Sequence, residues 1–205
     1  DGAWNGSQQP GRGGNLWRTD RTPDGWAEPH RLPDIINSNG KMLINLIDDI
    51  IDFAKIESGQ LNIIQDDFSL NSLFDQVQST FLTRSLRKDK SKVKIITKKA
   101  FPDEKSFVRT DPTRLRQILT NLVGNAIKFT PKGFIEFGYN LEDTKNLKFY
   151  VKDTGIGIPE DKLQLIFERF IQADSSPSRK YGGSGLGLAI SKGLVDLLGG
   201  RMWAE

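Results

Sequence analysis

Pro112-Thr113-Arg114-Leu115-Arg116-Gln117-Ile118-Leu119-Thr120-Asn121-Leu122-Val123-Gly124-Asn125-Ala126-Ile127-Lys128-Phe129-Thr130 lies just past the middle of this 205-residue chain. Leu115, Ile118, Leu119, Leu122, Val123, Ala126 and Ile127 recur at i, i+3 and i+4, the repeat of an amphipathic helix. Asp111 offers an N-cap oxygen, and Pro112 suits the first helical position, where its missing N–H costs nothing. Thr130-Pro131 ends the helix. A second stripe runs along it. Asn121, Asn125 and Lys128 stand at i, i+4 and i+7, about 140° round from the apolar stripe at 100° per residue. Two amides and an ammonium on one line could hold a hydrated Mg²⁺ and phosphate oxygens, because Mg²⁺ takes few protein ligands and keeps waters and substrate phosphates. An ordinary solvated face has the same composition, so the stripe needs support from elsewhere in the chain.

Working outward, the pattern is mixed α and β. Upstream, Leu61–Phe68 reads as a strand, Ser69 as the cap of a helix reaching about Arg87, and Val93–Lys98 and Ser106–Thr110 as short strands. Downstream, Phe134–Leu141 and Leu147–Asp153 predict a hairpin, and Glu160–Phe167 a helical turn or two. Ile171–Gly182 is polar and reads as a mobile loop, Leu186–Leu198 as a helix and Arg201–Glu205 as the start of a strand. Before all of these, Asp34–Glu57 carries apolar residues at Ile36, Leu43, Ile47, Ile50 and Ala54, flanked by Ile35, Leu46 and Ile51, with Ser58-Gly59 as the stop. The spacing is close to a heptad. One helix cannot bury such a stripe alone, so a partner helix is expected. Residues 1–33 hold six glycines, four prolines and three of the four tryptophans without any period, and read as irregular.

Composition narrows the chemistry. There is no cysteine, which excludes disulfides, thiolate–zinc sites and thiol nucleophiles and suggests a reducing compartment. The single histidine, His30, excludes multi-histidine metal sites and histidine relays. A net charge of +3 spread over mixed signs gives no basic patch with interleaved aromatics, so no nucleic-acid partner is expected. No run approaches a membrane span and no signal peptide opens the chain, so no membrane contact by this segment is expected.

Two further motifs stand with the stripe. In Asp153-Thr154-Gly155-Ile156-Gly157-Ile158-Pro159, strand alternation puts Asp153 on the same face as Leu147, Phe149 and Val151, toward the core side. A carboxylate there needs a partner. The exocyclic amine of a base is a suitable one, because adenine N6 donates where a carboxylate accepts. The glycines let the turn close over a flat ligand. In Gly182-Gly183-Ser184-Gly185-Leu186-Gly187-Leu188, glycine N–H groups run into a helix N-terminus and form a phosphate nest. A dinucleotide-binding fingerprint would follow a strand directly, and here a polar loop precedes it. The P-loop pattern and the serine/threonine kinase set are absent.

The three motifs in this order resemble the catalytic ATP-binding domain of sensor histidine kinases, within the wider Bergerat-fold ATPases. The resemblance covers about residues 34–205. It rests on Arg116–Thr130 (N box), Asp153–Pro159 (G1 box), Phe167-Glu168-Arg169-Phe170 (F box) and Gly183–Leu188 (G2 box). Asp52-Phe53-Ala54-Lys55-Ile56-Glu57-Ser58-Gly59 is similar to the end of the second dimerisation helix. The implied fold is α+β, a two-layer sandwich of a mixed sheet covered by helices, with an N-terminal amphipathic dimerisation helix. The implied domains are an irregular segment 1–33, part of the dimerisation and phosphotransfer helices at 34–59, and the catalytic domain at 60–205.

The resemblance implies ATP and Mg²⁺ as cofactors and assigns roles. Asn125 would ligate Mg²⁺, and Asn121 and Lys128 would lie near the phosphates as the catalytic pair. Asp153 would read adenine. Phe129 and Ile158 would line the base pocket, with Gly155 and Gly157 in the turn. Phe167 and Phe170 would anchor the lid. Gly183, Gly185, Leu186 and Gly187 would admit the triphosphate, and Arg179 and Lys180 would approach the γ-phosphate. Hydrolytic members of the wider group carry a water-activating glutamate at the position of Asn121. An amide cannot accept a proton usefully near neutral pH, so phosphoryl transfer is expected in place of hydrolysis.

The implied function is an ATP-dependent protein-histidine kinase module of a two-component system. Its partners would be a second copy through the 34–57 helix, a phosphoacceptor histidine helix and a response-regulator receiver domain. Its setting would be cytoplasmic, free or as part of a membrane-anchored sensor. A hydrolytic Bergerat ATPase and a nucleotide-gated dimerisation module are the alternatives. The acceptor motif is not recognisable. His30 stands in Glu28-Pro29-His30-Arg31-Leu32-Pro33, between prolines and four residues before the predicted helix. Arg18 occupies the histidine position of the one partial match, whose tail is Arg21-Thr22-Pro23.

Overall fold

The computed structural model describes residues 31–87, 93–144, 146–170 and 184–205. Two compact units divide the chain between Leu43 and Ile44. The described part of the first is the beginning of helix α1 (Arg31–Glu57), where Ile36, Met42 and Leu43 are exposed. Helix α1 starts at Arg31 and so takes in the Pro33 that was read as lying before it. Proline is tolerated within a helix's first turn, where N–H groups lack partners.

The second unit, from Ile44, holds the rest. A three-stranded sheet has the order β2 (Val93–Lys99), β4 (Gly133–Leu141), β5 (Leu147–Asp153). β2 and β4 are parallel and β4 and β5 antiparallel, with Ile95 opposite Ile135 and Phe137 opposite Val151. A small antiparallel pair joins β1 (Asp66–Ser69) to β3 (Phe107–Thr110). Helices α2 (Leu70–Arg87) and α3 (Pro112–Phe129) pack with the sheet, and α4 (Gly187–Leu197) packs beside α3. This is the mixed-sheet α+β sandwich expected from the sequence.

Two apolar clusters hold it. The larger joins α2, α3 and the sheet through Leu70, Phe74, Leu119, Val123, Phe137 and Tyr139. Strand alternation puts Ile135, Phe137 and Tyr139 of β4 on the buried face, and Phe74 stacks on Phe137 with ring centroids 5.5 Å apart. The second cluster joins Ile118 of α3 to Leu186, Ile190 and Leu194, with Leu61 between them. Phe53 and Ile56 of α1 pack against it. Asp111 caps α3 as expected: its Oδ1 accepts from the Thr113 and Arg114 N–H groups, both at 3.0 Å. Ser69 Oγ likewise accepts from Ser72 N, in the first turn of α2.

Two of the remaining segments differ from expectation and one agrees with it. Leu61–Phe68 is not one strand, and pairing is confined to Asp66–Ser69. The Ile64 N–H goes instead to Asp111 Oδ2 at 2.9 Å, so the segment is pinned to the cap of α3 and Leu61 is buried in the second cluster. Residues 160–167 form the expected helical turns, as two 3-10 turns, Glu160–Lys162 and Leu165–Phe167. Residues 201–205 form no strand. They meet β5 and the turn before it through side chains, with Lys148 Nζ 5.0 Å from the Trp203 ring and Arg201 3.7 Å from Glu142. Residues 1–30 and 171–183, with His30 and the loop read as mobile, lie outside the described residues.

Candidate active site

The three motifs meet along α3. At its C-terminal end, Phe129 O accepts from Ile156 N at 3.3 Å, which ties the Asp153 turn to the helix. A Cβ on Gly155 would stand 2.5 Å from Phe129 O and 2.8 Å from Asp153 Oδ1. Only glycine fits that approach. Gly157 takes φ +72°, a left-handed value that any side chain would strain, and has open space around it. The turn is therefore shaped at two glycines for different reasons.

Asp153 corrects the sequence reading in one respect. It shares its strand face with the core residues, yet it is exposed, although its cross-strand partner Ile135 is fully buried. Its Oδ1 accepts from Gly155 N at 2.8 Å and lies 3.4 Å from the Thr130 hydroxyl. The carboxylate is thus oriented by a backbone amide and a buried threonine, with the rest of its acceptor capacity free. Ile158 and Ile156 stand exposed on the same turn.

Along the middle of α3, Asn121 Nδ2 donates to Ser191 Oγ at 2.8 Å, and Ser191 on α4 is 1% exposed. Asn125 Nδ2 approaches Asn121 Oδ1 at 3.5 Å. A Cβ on Gly187 would fall 2.5 Å from Asn121 Oδ1, so the Asn121 amide fills the space that Gly187 leaves. Lys128 is half-buried, its Nζ 4.6 Å from the Phe129 ring, and burial pulls its pKa below the ordinary 10.5. No carboxylate among the described residues lies within ion-pair distance of it. An ammonium held away from water without an anion favours an incoming one.

Gly185 takes φ +71°, and its carbonyl accepts from Phe170 N at 3.1 Å. Phe170 itself sits at φ +58°, strained for an aromatic residue, and is 69% exposed. Phe167 is buried, with Lys192 Nζ 5.5 Å from its ring. Leu186 is buried as the first anchor of α4. Gly183, Arg179 and Lys180 lie outside the described residues. Among the described residues no cluster of three acidic, histidine or cysteine groups could hold a metal ion.

The sequence reading missed the contacts that α1 makes here. Asp52 accepts from Gln117 Nε2 at 2.7 Å and lies 3.4 Å from Arg114 Nη1 on α3. Ser184 Oγ donates to Asp49 Oδ2 at 3.0 Å. Arg169 pairs with Glu57 and stacks on Phe53 at 4.6 Å. The signal was present: Asp49, Asp52 and Phe53, and Ile56 at i, i+3/i+4 and i+7 make a stripe of their own.

Residues 110–205 match the family model described as histidine kinase-, DNA gyrase B-, and HSP90-like ATPase. Autoinducer 2 sensor kinase/phosphatase LuxQ of Vibrio vulnificus (strain YJ016) is 41% identical over 181 residues, 86% of this chain and 21% of its own length. Signal transduction histidine-protein kinase BarA of Escherichia coli (strain K12) is 42% identical over 169 residues, 80% of this chain and 18% of its own. The chain spans about a fifth of the length of these relatives. Full-length ShkA in complex with AMPPNP superposes with a TM-score of 0.72 at 30% identity, covering 87% of this chain and 36% of that one. The catalytic domain of histidine kinase ThkA gives 0.57 at 30% identity, covering 69% and 88%. The chain belongs to the histidine kinase-, DNA gyrase B- and HSP90-like ATPase family, in its sensor histidine kinase branch.

Proposed function

We propose that this chain is the ATP-binding kinase module of a two-component sensor. It takes Mg-ATP and passes the γ-phosphoryl group to a histidine on a dimerisation helix. The observation that carries this is the Asp153 turn. An exposed carboxylate is oriented by Gly155 N–H and Thr130, beside a glycine packed too tightly on Phe129 O for any side chain. An acceptor with free lone pairs next to a surface open to a flat ligand suits an adenine amine. When bound, ATP with Mg²⁺ supplies the phosphoryl group and neutralises the charge that develops on it.

The chain's own residues then bind and orient. Asp153 selects adenine over guanine, which presents a carbonyl where adenine presents an amine. Asn125 fits an Mg²⁺ ion that keeps most of its water and phosphate ligands, since one amide is a modest donor set. Lys128 offers a poorly solvated ammonium to the phosphates. Asn121 is held through its amide nitrogen by Ser191, and no base stands in its place, which supports transfer over hydrolysis. Residues 34–59 belong in this reading to the dimerisation helices and 60–205 to the catalytic domain. A second copy, a receiver domain and a cytoplasmic setting follow from the same proposal. No helix among the described residues is long and apolar enough to cross a membrane.

Nucleotide titration of the whole chain by calorimetry tests it. Mg-ATP is expected to bind, GTP not to replace it, and Asp153→Asn to weaken ATP by roughly ten- to a hundred-fold, the size of one lost specific base contact. Equal binding of ATP and GTP, or an Asp153→Asn variant with unchanged affinity, overturns the adenine reading. Adding a purified acceptor helix should yield acid-labile phosphate. ATP turnover by the chain alone at the rate of a dedicated ATPase overturns the transfer reading.

A further inference from the structure

The Ser184 hydroxyl has two partners on opposite sides. It accepts from Leu186 N at 3.2 Å, at the start of α4, and donates to Asp49 Oδ2 of α1 at 3.0 Å. No side chain of the cap residue itself caps α4. The unpaired N–H groups of a helix start favour an anion, and here the chain's own helix supplies one through Ser184. We propose that Asp49 is an electrostatic gate on the Ser184–Leu186 turn: its carboxylate opposes nucleotide phosphates there, so that seating of α1 and binding of a polyphosphate are coupled through one hydroxyl. This rests on the nucleotide reading above, and it adds a residue outside the catalytic domain to the control of that site.

The setting of Asp49 makes its charge effective. It is half-buried, and its neighbours on α1 are Asp48 and Asp52. Asp52 is taken up by Arg114 and Gln117 of α3, so the Arg114 guanidinium is already engaged. Burial, together with the two aspartates, pushes the Asp49 carboxyl above its ordinary 3.8 despite the Ser184 bond. Among the described residues of the turn, the Ser184 hydroxyl is the group that bonds it. A polyphosphate arriving at the same turn meets a like charge in a partly desolvated place, where repulsion exceeds its value in water. By linkage, whatever α1 seating does to phosphate affinity, phosphate does to α1 seating.

The experiment compares wild type and Asp49→Asn, as whole chains, for Mg-ATP and for adenosine, which carries the base without phosphates. Asparagine keeps an oxygen for Ser184 and removes the charge. Asp49→Asn should bind Mg-ATP roughly three- to ten-fold tighter, with adenosine affinity unchanged and the gain shrinking as salt rises. In a Ser184→Ala background the gain should fall toward unity. Unchanged Mg-ATP affinity in Asp49→Asn, an equal gain for adenosine, or a gain undiminished by Ser184→Ala overturns the gate while the nucleotide site stands. If wild type binds neither ligand, the nucleotide reading and the gate fall together.

Discussion

Gly193→Ala tests whether α1 is seated on α4 in solution. Gly193 lies inside α4, and a methyl built on it stands 2.8 Å from Ile56 Cγ2 and 3.5 Å from Ile56 Cδ1. Carbon pairs settle at about 3.5–4.0 Å, so the Cγ2 contact is a clash. Cγ2 is fixed by χ1, and β-branched residues in helices hold one χ1 rotamer, so the methyl cannot swing away cheaply. Overpacking of this kind costs about 1–3 kcal/mol. Against it, alanine in place of glycine favours the helix by about 1 kcal/mol. The net effect in the natural background is between neutral and roughly 2 kcal/mol of destabilisation. In an Ile56→Ala background the clash is gone, and the same substitution should stabilise by about 1 kcal/mol. The change of sign is the diagnostic. Urea unfolding of the four proteins at one pH gives the cycle, with a coupling energy of about 1–3 kcal/mol expected. A Gly193→Ala effect equal in both backgrounds, within about 0.5 kcal/mol, would refute the seating of α1 on α4.

Two further outcomes follow from the geometry. Tyr139→Phe should lower stability by about 1–2 kcal/mol in the same urea assay, because the buried Asn71 Oδ1 loses its donor at 2.7 Å. Mg-ATP affinity should decline as pH rises through the lowered Lys128 pKa, since phosphates bind the ammonium and not the amine. Lys128→Met should bind more weakly at neutral pH and show no such decline in calorimetric titrations across the alkaline range.

The fold was readable wherever local chemistry and packing agree. The Asp111-Pro112 start, the apolar stripe of α3 and the alternation of β4 and β5 each carry their own signal, and each forms as read. The reading of Leu61–Phe68 as one strand failed because a strand is defined by its partner. Alternation in residues 61–65 is real, but the Ile64 N–H is claimed by a carboxylate 47 positions away. No local pattern encodes that. Asp153 shows a related limit: its face follows from the pleat, while its exposure, opposite the buried Ile135, depends on what other elements cover that face. The motif residues were legible because their spacing is local. Ser191, Thr130 and Ser184, which orient or contact Asn121, Asp153 and Asp49, were not, because their partners lie across the fold.

Helix α1 brings these strands of argument together. From Ile44 to Glu57 it carries two faces. Ile44, Ile47, Ile50 and Ile51 are exposed, and Leu46, Asp49, Asp52, Phe53 and Ile56 are half-buried. At 100° per residue the centres of these faces lie roughly 160° apart, on opposite sides of the helix. The first is wholly aliphatic, the kind of seam that another helix covers for good. The second mixes Phe53 and Ile56 with carboxylates whose partners are Ser184, Gln117 and Arg114, and Glu57 pairs with Arg169 beside it. Partly exposed ion pairs of this kind contribute about 0–1 kcal/mol each and weaken with salt. An aliphatic seam suits permanent association, and a polar seat suits release. In the kinase reading the catalytic domain must leave its seat to reach an acceptor, so the two requirements fall on opposite sides of one helix. Asp49 stands on the side that lets go.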